Sequence, residues 1–203
     1  MSFADIAQII AAAIFSYLLG SVPTGYLLVK LRTGNDIRNY GSGNIGATNT
    51  LRVLGRWGGA IVLICDLLKG AFAAVLGQII AGQYFAVVCG VLAILGHTFP
   101  VWLKFNGGKG AATAIGVMFI ASPLSAVITI AAWLITLYFT RIVSLSTIVA
   151  ACVLDLAVFI LHYDIYYSVP VLLASILVIY RHKDNIKRLL NGTEYKFERK
   201  VKK

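Results

Sequence analysis

Gly110-Ala-Ala-Thr-Ala-Ile-Gly-Val-Met-Phe-Ile-Ala-Ser-Pro-Leu-Ser-Ala-Val-Ile-Thr-Ile-Ala-Ala-Trp-Leu-Ile-Thr-Leu-Tyr-Phe-Thr140 carries no charged residue and is too long for one membrane crossing. As a single helix at 1.5 Å per residue it would run about 45 Å, against a hydrocarbon core of roughly 30 Å. Ser122-Pro123 interrupts it, and a proline breaks or kinks a helix at the residue before it. The run is therefore one overlong kinked helix or two short ones. Apolar runs of spanning length also cover about 6–29, 57–80, 84–103, 142–161 and 166–180, so the choice is between six spans and seven.

Composition sets the class. Of 203 residues, 59% are hydrophobic and 13% charged, and mean hydropathy is +0.85. A soluble domain carries about 25% charged residues, and this chain has too little polar surface to wrap a globule. Disorder and a disulfide scaffold are excluded as well, since the chain is apolar and holds three cysteines.

Charge then decides the span count. Eighteen Lys and Arg stand against eight Asp and Glu, a formal net charge of +10. With seven spans, one side receives Lys30, Arg32, Arg38, Arg52, Arg56, Lys104, Lys109, Arg141 and the nine basic residues from Arg181 to Lys203, or 17 of the 18. The last, Lys69, lies inside a span. With six spans, Arg141 and the basic tail would be translocated, against the positive-inside rule. The expected fold is an all-α integral membrane protein, one transmembrane domain over 1–203 with a basic cytoplasmic tail at about 195–203. It has seven transmembrane helices, the N-terminus outside and the C-terminus cytoplasmic, with short fourth and fifth spans joined at Ser122-Pro123.

Minor features agree. Met1-Ser-Phe-Ala-Asp5 lacks the basic region of a cleavable signal peptide. Tyr163, Tyr166 and Tyr167 cluster where an outer aromatic belt belongs. Cys65, Cys89 and Cys152 are scattered without metal-ligand spacing, so no metal and no cofactor is expected.

Three polar strings all fall on the basic side. Gly41-Ser-Gly-Asn-Ile-Gly-Ala-Thr-Asn-Thr-Leu-Arg52 combines glycine-freed backbone N–H groups, hydroxyls, amides and a guanidinium, the parts of a phosphate cradle. Its Gly41-x-Gly43-x-x-Gly46 spelling is not a dinucleotide fingerprint, because it follows a membrane helix rather than a strand. Gly96-His-Thr-Phe-Pro-Val-Trp-Leu-Lys-Phe-Asn-Gly-Gly-Lys-Gly110 resembles a P-loop at Lys109 but fails the full pattern at Leu103 and Gly110. It still offers backbone donors and an ammonium to an anion, while His97 reads as a structural histidine. Arg181-His-Lys-Asp-Asn-Ile-Lys-Arg-Leu-Leu-Asn-Gly-Thr-Glu194 places His182 and Asn185 at i, i+3 on one helix face. Deeper, Asp66 and Lys69 sit one turn apart within span 2 and read as an ion pair supporting the site; Asp155 has no evident partner.

The three strings together resemble the motifs of the bacterial PlsY family, the acyl-phosphate:glycerol-3-phosphate acyltransferases, in order and over nearly the whole chain. The departures are small: Ala111 where valine is common and Lys183 where arginine is common. The resemblance implies transfer of a fatty acyl group from acyl phosphate to the 1-hydroxyl of glycerol 3-phosphate, giving lysophosphatidic acid and inorganic phosphate. It implies a multi-pass protein of the bacterial cytoplasmic (inner) membrane with its site facing the cytoplasm, and no direct need for acyl-CoA or acyl carrier protein. Membrane lipids are then the surroundings, and nucleic acid is not a partner.

Residue by residue, Ser42 and Arg52 match catalytic positions, with Gly43, Asn44, Thr48 and Asn49 binding substrate phosphate beside them. Lys109 with Lys104, Gly107, Gly108 and Gly110 would stabilise charge on the acyl phosphate. His182 and Asn185 would position glycerol 3-phosphate, and Glu194 would brace the fold. The His-x₄-Asp motif of other glycerolipid acyltransferases is absent, since Trp102, Tyr167 and Lys187 stand five residues after the histidines. The competing class, a transporter of phosphorylated organic anions, calls for inverted repeats and a midplane site. No repeat is visible, and the one-sided charge suits a site open to one compartment.

Overall fold

A computed structural model describes residues 2–162 and 164–197; Tyr163 of the expected aromatic belt and 198–203 of the basic tail lie outside the described residues. The described chain is all helical: α1 (Phe3–Ser21), α2 (Thr24–Thr33), α3 (Ala47–Thr98), α4 (Ala111–Ala121), α5 (Pro123–Thr140), α6 (Val143–His162), α7 (Ile165–Tyr180) and α8 (Lys183–Leu190), with short 3₁₀ turns at Ile37–Asn39 and Val101–Leu103. It forms two compact units that divide after Ala121.

In the first unit, a capping box opens α1: Ser2 Oγ accepts from the Asp5 N–H (3.2 Å), and the Asp5 carboxylate accepts from the Ser2 N–H (2.6 Å). The single helix expected over about 6–29 is in fact two, broken at Val22-Pro23. Pro23 has no N–H to continue the helical ladder, and Val22 closes α1 with a short-range bond to the Leu19 carbonyl (3.2 Å). α2 then stops at Gly34, which adopts the left-handed conformation (φ 73°).

α3 is nominally 52 residues, but Gly55 and Gly82, both at φ 78° and ψ −169°, divide it into arms 47–54, 56–80 and 83–98. Few residues other than glycine adopt that conformation. The chain reverses at Ala81-Gly82, so that Gly77 packs on the backbone of Phe85 and Ala86. In a straight helix, residues eight apart would be separated by about 12 Å. α4 lies against the 56–80 arm with Gly116 on the Leu67 backbone and Gly70 on the Thr113 backbone, an approach that leaves no room for a methyl group on either helix. At the end of α4, the Ala121 carbonyl accepts from Gln83 Nε2 (3.0 Å).

In the second unit, α5 starts with Pro123 in its first turn and Ser122 as its cap, so the chain breaks where the proline signal places the break. α6 packs on α5, α7 and α8, with Trp133 Nε1 of α5 donating to Thr147 Oγ1 of α6 (3.2 Å). α7 and α8 meet at a 55° bend. Among the described residues, four helical stretches are long and apolar enough to cross a membrane: Phe3–Thr33, Ala47–Leu103, Pro123–Thr140 and Val143–Leu161. The bent α7–α8 pair makes a fifth when taken together, and α4 is a shorter apolar helix.

Candidate active site

Both glycine-rich strings of the first unit rest on one apolar floor. Val29 of α2, Ile37, Ile45 and Leu103 are buried together, with Tyr26, Val53 and Leu54 packed against them. Leu103 is the link, since it comes from the second string while the others flank or belong to the first. Burial of four aliphatic side chains, at about 1.5–3 kcal/mol each, holds the two loops as one body.

Asn49 organises the first loop. It is 1% exposed, and its Nδ2 donates to the carbonyls of Tyr40 (2.9 Å), Asn44 (2.9 Å) and Ile37 (3.4 Å), while its Oδ1 accepts from the Ser42 N–H (2.9 Å). Asn44 Oδ1 accepts from the Gly46 N–H (2.7 Å), and Gly41 and Gly43 take positive φ (58° and 70°). Upstream, Asp36 receives Arg38 through Nε and a terminal nitrogen (2.6 Å), which holds the Asp36 carboxyl below its usual range. Ser42 and Thr48 are half-buried; Arg52 is exposed. Arg52 lines an open pocket of about 410 Å³ with Thr33, Asn35, Tyr40, Gly41 and Val53.

The second loop is pinned to the end of α3. The Gly107 N–H donates to the Thr98 carbonyl (3.1 Å) and the Gly108 N–H to the His97 carbonyl (2.9 Å). Lys104 and Phe105 both take positive φ (52° and 61°), turning the chain, and the Phe105 N–H donates to the Pro100 carbonyl (2.9 Å). Lys104 is exposed, Lys109 half-buried, and Gly108 and Gly110 buried.

Beneath this loop lies a buried polar cluster. Lys69 Nζ reaches Asp66 Oδ1 (2.9 Å), His97 Nδ1 (2.6 Å) and the Val22 carbonyl left at the α1–α2 break (3.3 Å). All three side chains are at most 5% exposed. Asp66 and Lys69 pair within one helical turn, whereas His97, 28 residues from Lys69, joins them only because the chain reverses at Gly82.

In the second unit, His182 caps α8 and is buried, with Nδ1 2.7 Å from the Val178 carbonyl. A carbonyl only accepts, so Nδ1 carries a proton. Glu194 gathers three donors: Asn185 Nδ2 (2.7 Å) and Ser144 Oγ (3.0 Å) on Oε1, and Arg188 Nε (2.6 Å) on Oε2. Burial raises its pKa, but the three hydrogen bonds and the Arg188 charge outweigh it and hold the carboxyl below the usual glutamate value. Ser144 and Arg188 carried no sequence signal for this role, Ser144 being 50 residues away on α6. Among the described residues, no group of three His, Cys, Asp or Glu side chains is placed to hold a metal ion.

A family profile described as glycerol-3-phosphate acyltransferase matches residues 10–192. The chain belongs to this family. Glycerol-3-phosphate acyltransferases of Symbiobacterium thermophilum and Bacillus subtilis are each 44% identical to it, over 93% and 90% of this chain and 94% of each relative. A solved structure of PlsY (YgiH), an integral membrane glycerol 3-phosphate acyltransferase, in its glycerol 3-phosphate form matches with TM-score 0.90 at 40% identity, covering 94% of this chain and 96% of that one. The lysophosphatidic acid form of PlsY matches with TM-score 0.87 at 38% identity, over 94% and 95% of the two chains. This member of the glycerol-3-phosphate acyltransferase family is thus an all-helical, multi-pass membrane protein.

Proposed function

We propose that the chain transfers a fatty acyl group from acyl phosphate to the 1-hydroxyl of glycerol 3-phosphate, releasing lysophosphatidic acid and inorganic phosphate. One observation carries the reading: over 94% of its length the chain follows a PlsY structure solved in its glycerol 3-phosphate form. The phosphate-cradle chemistry of the two glycine-rich loops supports it.

In this reading, Ser42, Gly43, Asn44, Thr48 and Arg52 hold phosphate oxygens, with Arg52 lining the open pocket. Asn49 acts one step back, because its carboxamide is committed to the loop and orients the Ser42 backbone. Lys104, Gly107, Gly108, Lys109 and Gly110 stabilise charge on the acyl phosphate. His182 and Asn185 orient glycerol 3-phosphate, and Glu194 braces Asn185.

The 1-hydroxyl oxygen bonds to the acyl carbonyl carbon, and the carbonyl electron pair moves onto oxygen. Collapse of that tetrahedral intermediate breaks the carbon–oxygen bond to phosphate, which leaves with the bonding pair. The hydroxyl proton passes to the acceptor's own phosphate monoester, whose second pKa should be about 6 by analogy with phosphoserine. Acyl phosphate is already activated, so no covalent acyl-enzyme forms. Seven spans, an outside N-terminus and a cytoplasmic site in the bacterial inner membrane complete the proposal, supported by the one-sided placement of the basic residues.

The test is donor choice. Purified protein should form lysophosphatidic acid from acyl phosphate and glycerol 3-phosphate without acyl-CoA or acyl carrier protein. Turnover with acyl-CoA alone, or uptake of an organic phosphate into proteoliposomes without acyl transfer, would overturn it.

A further inference from the structure

We infer that Asp66, Lys69 and His97 form a positioning unit that sets the place of the Gly107–Gly110 loop, with the His97 imidazole as the seat of Gly108. The inference rests on the proposed role of that loop in holding acyl phosphate and assigns His97 a task beyond that reading.

Three observations carry it. First, the cluster is buried and held together by an Asp66–Lys69 ion pair and a Lys69–His97 contact, although Asp66 Oδ1 itself makes no hydrogen bond. An ammonium has three N–H donors, and Lys69 Nζ finds three partners in Asp66, His97 Nδ1 and the Val22 carbonyl. Asp66 Oδ1 lies 3.6 Å from His97 Nδ1, so it is Lys69, at 2.6 Å, that meets the imidazole on that edge. This contact falls on Nδ1, which leaves Nε2 on the opposite edge of the ring.

Second, the opposite edge meets the loop. A methyl group built on Gly108 would fall on His97 Nε2, and also within 2.7 Å of Cδ2 and Cε1. The Gly108 backbone therefore lies directly on the ring edge, and only glycine fits there. Third, the same residue holds the loop through its backbone: the His97 carbonyl accepts the Gly108 N–H (2.9 Å) and its neighbour Thr98 accepts the Gly107 N–H (3.1 Å). Tyr17 of α1 donates to the Phe99 carbonyl (2.7 Å), anchoring the strand of chain that leaves this corner. A rotation of the imidazole would therefore move the backbone on which Lys109 is carried. His97 does not act on substrate; it acts through Gly108.

The experiment uses full-length protein in lipid nanodiscs and the variants His97→Asn, Gly108→Ala and their combination. Asparagine offers Oδ1 near the place of Nδ1, keeping a partner for Lys69, but lacks the ring edge beneath Gly108. We expect His97→Asn to stay folded while amide exchange at Gly107 and Gly108 quickens at least tenfold. Its KM for acyl phosphate should rise at least tenfold, with KM for glycerol 3-phosphate within twofold of wild type. Gly108→Ala alone should be worse than His97→Asn, and the combination no worse than His97→Asn, because the ring that the new methyl meets is gone.

A folded His97→Asn protein with unchanged exchange at Gly107 and Gly108 would overturn the inference. So would an equal quickening over the whole chain, or multiplicative losses in the combination. Wild-type protein that fails to use acyl phosphate would sink the proposed function alone, since the exchange measurement needs no substrate and decides the positioning role by itself.

Discussion

Replacing Asn49 by alanine should disable the first loop without touching any group proposed to contact the reacting atoms. Asn49 makes three hydrogen bonds of 2.9 Å, to the Tyr40 and Asn44 carbonyls and from the Ser42 N–H, besides a longer one of 3.4 Å to Ile37. At about 1 kcal/mol net for each good bond, alanine forfeits about 3 kcal/mol of local order, and more if the freed groups stay dry. Since about 1.4 kcal/mol is a factor of ten, the equilibrium constant for the ordered loop should fall about 100-fold, and kcat/KM by up to that factor. Asn49→Asp sharpens the case: it is the same size and retains the acceptor for Ser42, yet it turns a carboxylate towards the carbonyls of Tyr40 and Asn44. It should be no better than alanine. The assay is kcat/KM for lysophosphatidic acid formation, with limited proteolysis of 35–46 as the measure of loop order. An Asn49→Ala enzyme with activity within threefold of wild type and an equally resistant loop would refute the reasoning.

Removing the Glu194 carboxylate should destabilise the second unit by about 2–3 kcal/mol, because buried Asn185 and the partly exposed Arg188 lose their partner; thermal unfolding of Glu194→Ala in detergent reads it. The same bonds hold the Glu194 carboxyl below its usual range, so their contribution is complete above about pH 4.5 and is lost as pH falls through the lowered native value. The acid-side fall in unfolding temperature should therefore be shallower in Glu194→Gln than in wild type. Gly116→Val should prevent α4 from docking on the 56–80 arm, since its Cβ meets the Leu67 backbone; loss of monodisperse protein on size-exclusion chromatography is expected, while Gly34→Ala, in open space, should behave as wild type apart from a strain of about 1 kcal/mol. His182→Gln should retain part of its turnover if the acceptor's phosphate takes the proton, and near-total loss of kcat with unchanged glycerol 3-phosphate affinity would assign the base to His182 instead.

Local signals were legible where one residue type decides the conformation. Pro123 marks the α4–α5 break in sequence and in structure. Pro23 is the same signal, but apolar residues continue on both sides of it and composition leaves the run of about 6–29 unbroken, whereas the folded chain ends α1 at Ser21 and turns the Val22 carbonyl to Lys69. The strings at 41–52 and 96–110 stood out by composition, and Leu103 joins them through a floor that composition does not display. An amide in a glycine-rich loop reads as a ligand, because residue type does not say whether the carboxamide faces the anion or the backbone behind it. For Asn49 it is the backbone. His97 and Ser144 were hidden for a different reason: their partners, Lys69 and Glu194, lie 28 and 50 residues away and are brought close only by tertiary folding.

The most direct test of acyl transfer to glycerol 3-phosphate is isotopic. Glycerol 3-phosphate labelled with ¹⁸O at its 1-hydroxyl is incubated with acyl phosphate and purified protein, and lysophosphatidic acid and phosphate are analysed by mass spectrometry. Direct attack predicts one phosphate released per lysophosphatidic acid, with the label wholly in the new ester and none in the phosphate. Phosphate released without labelled lysophosphatidic acid would contradict the account.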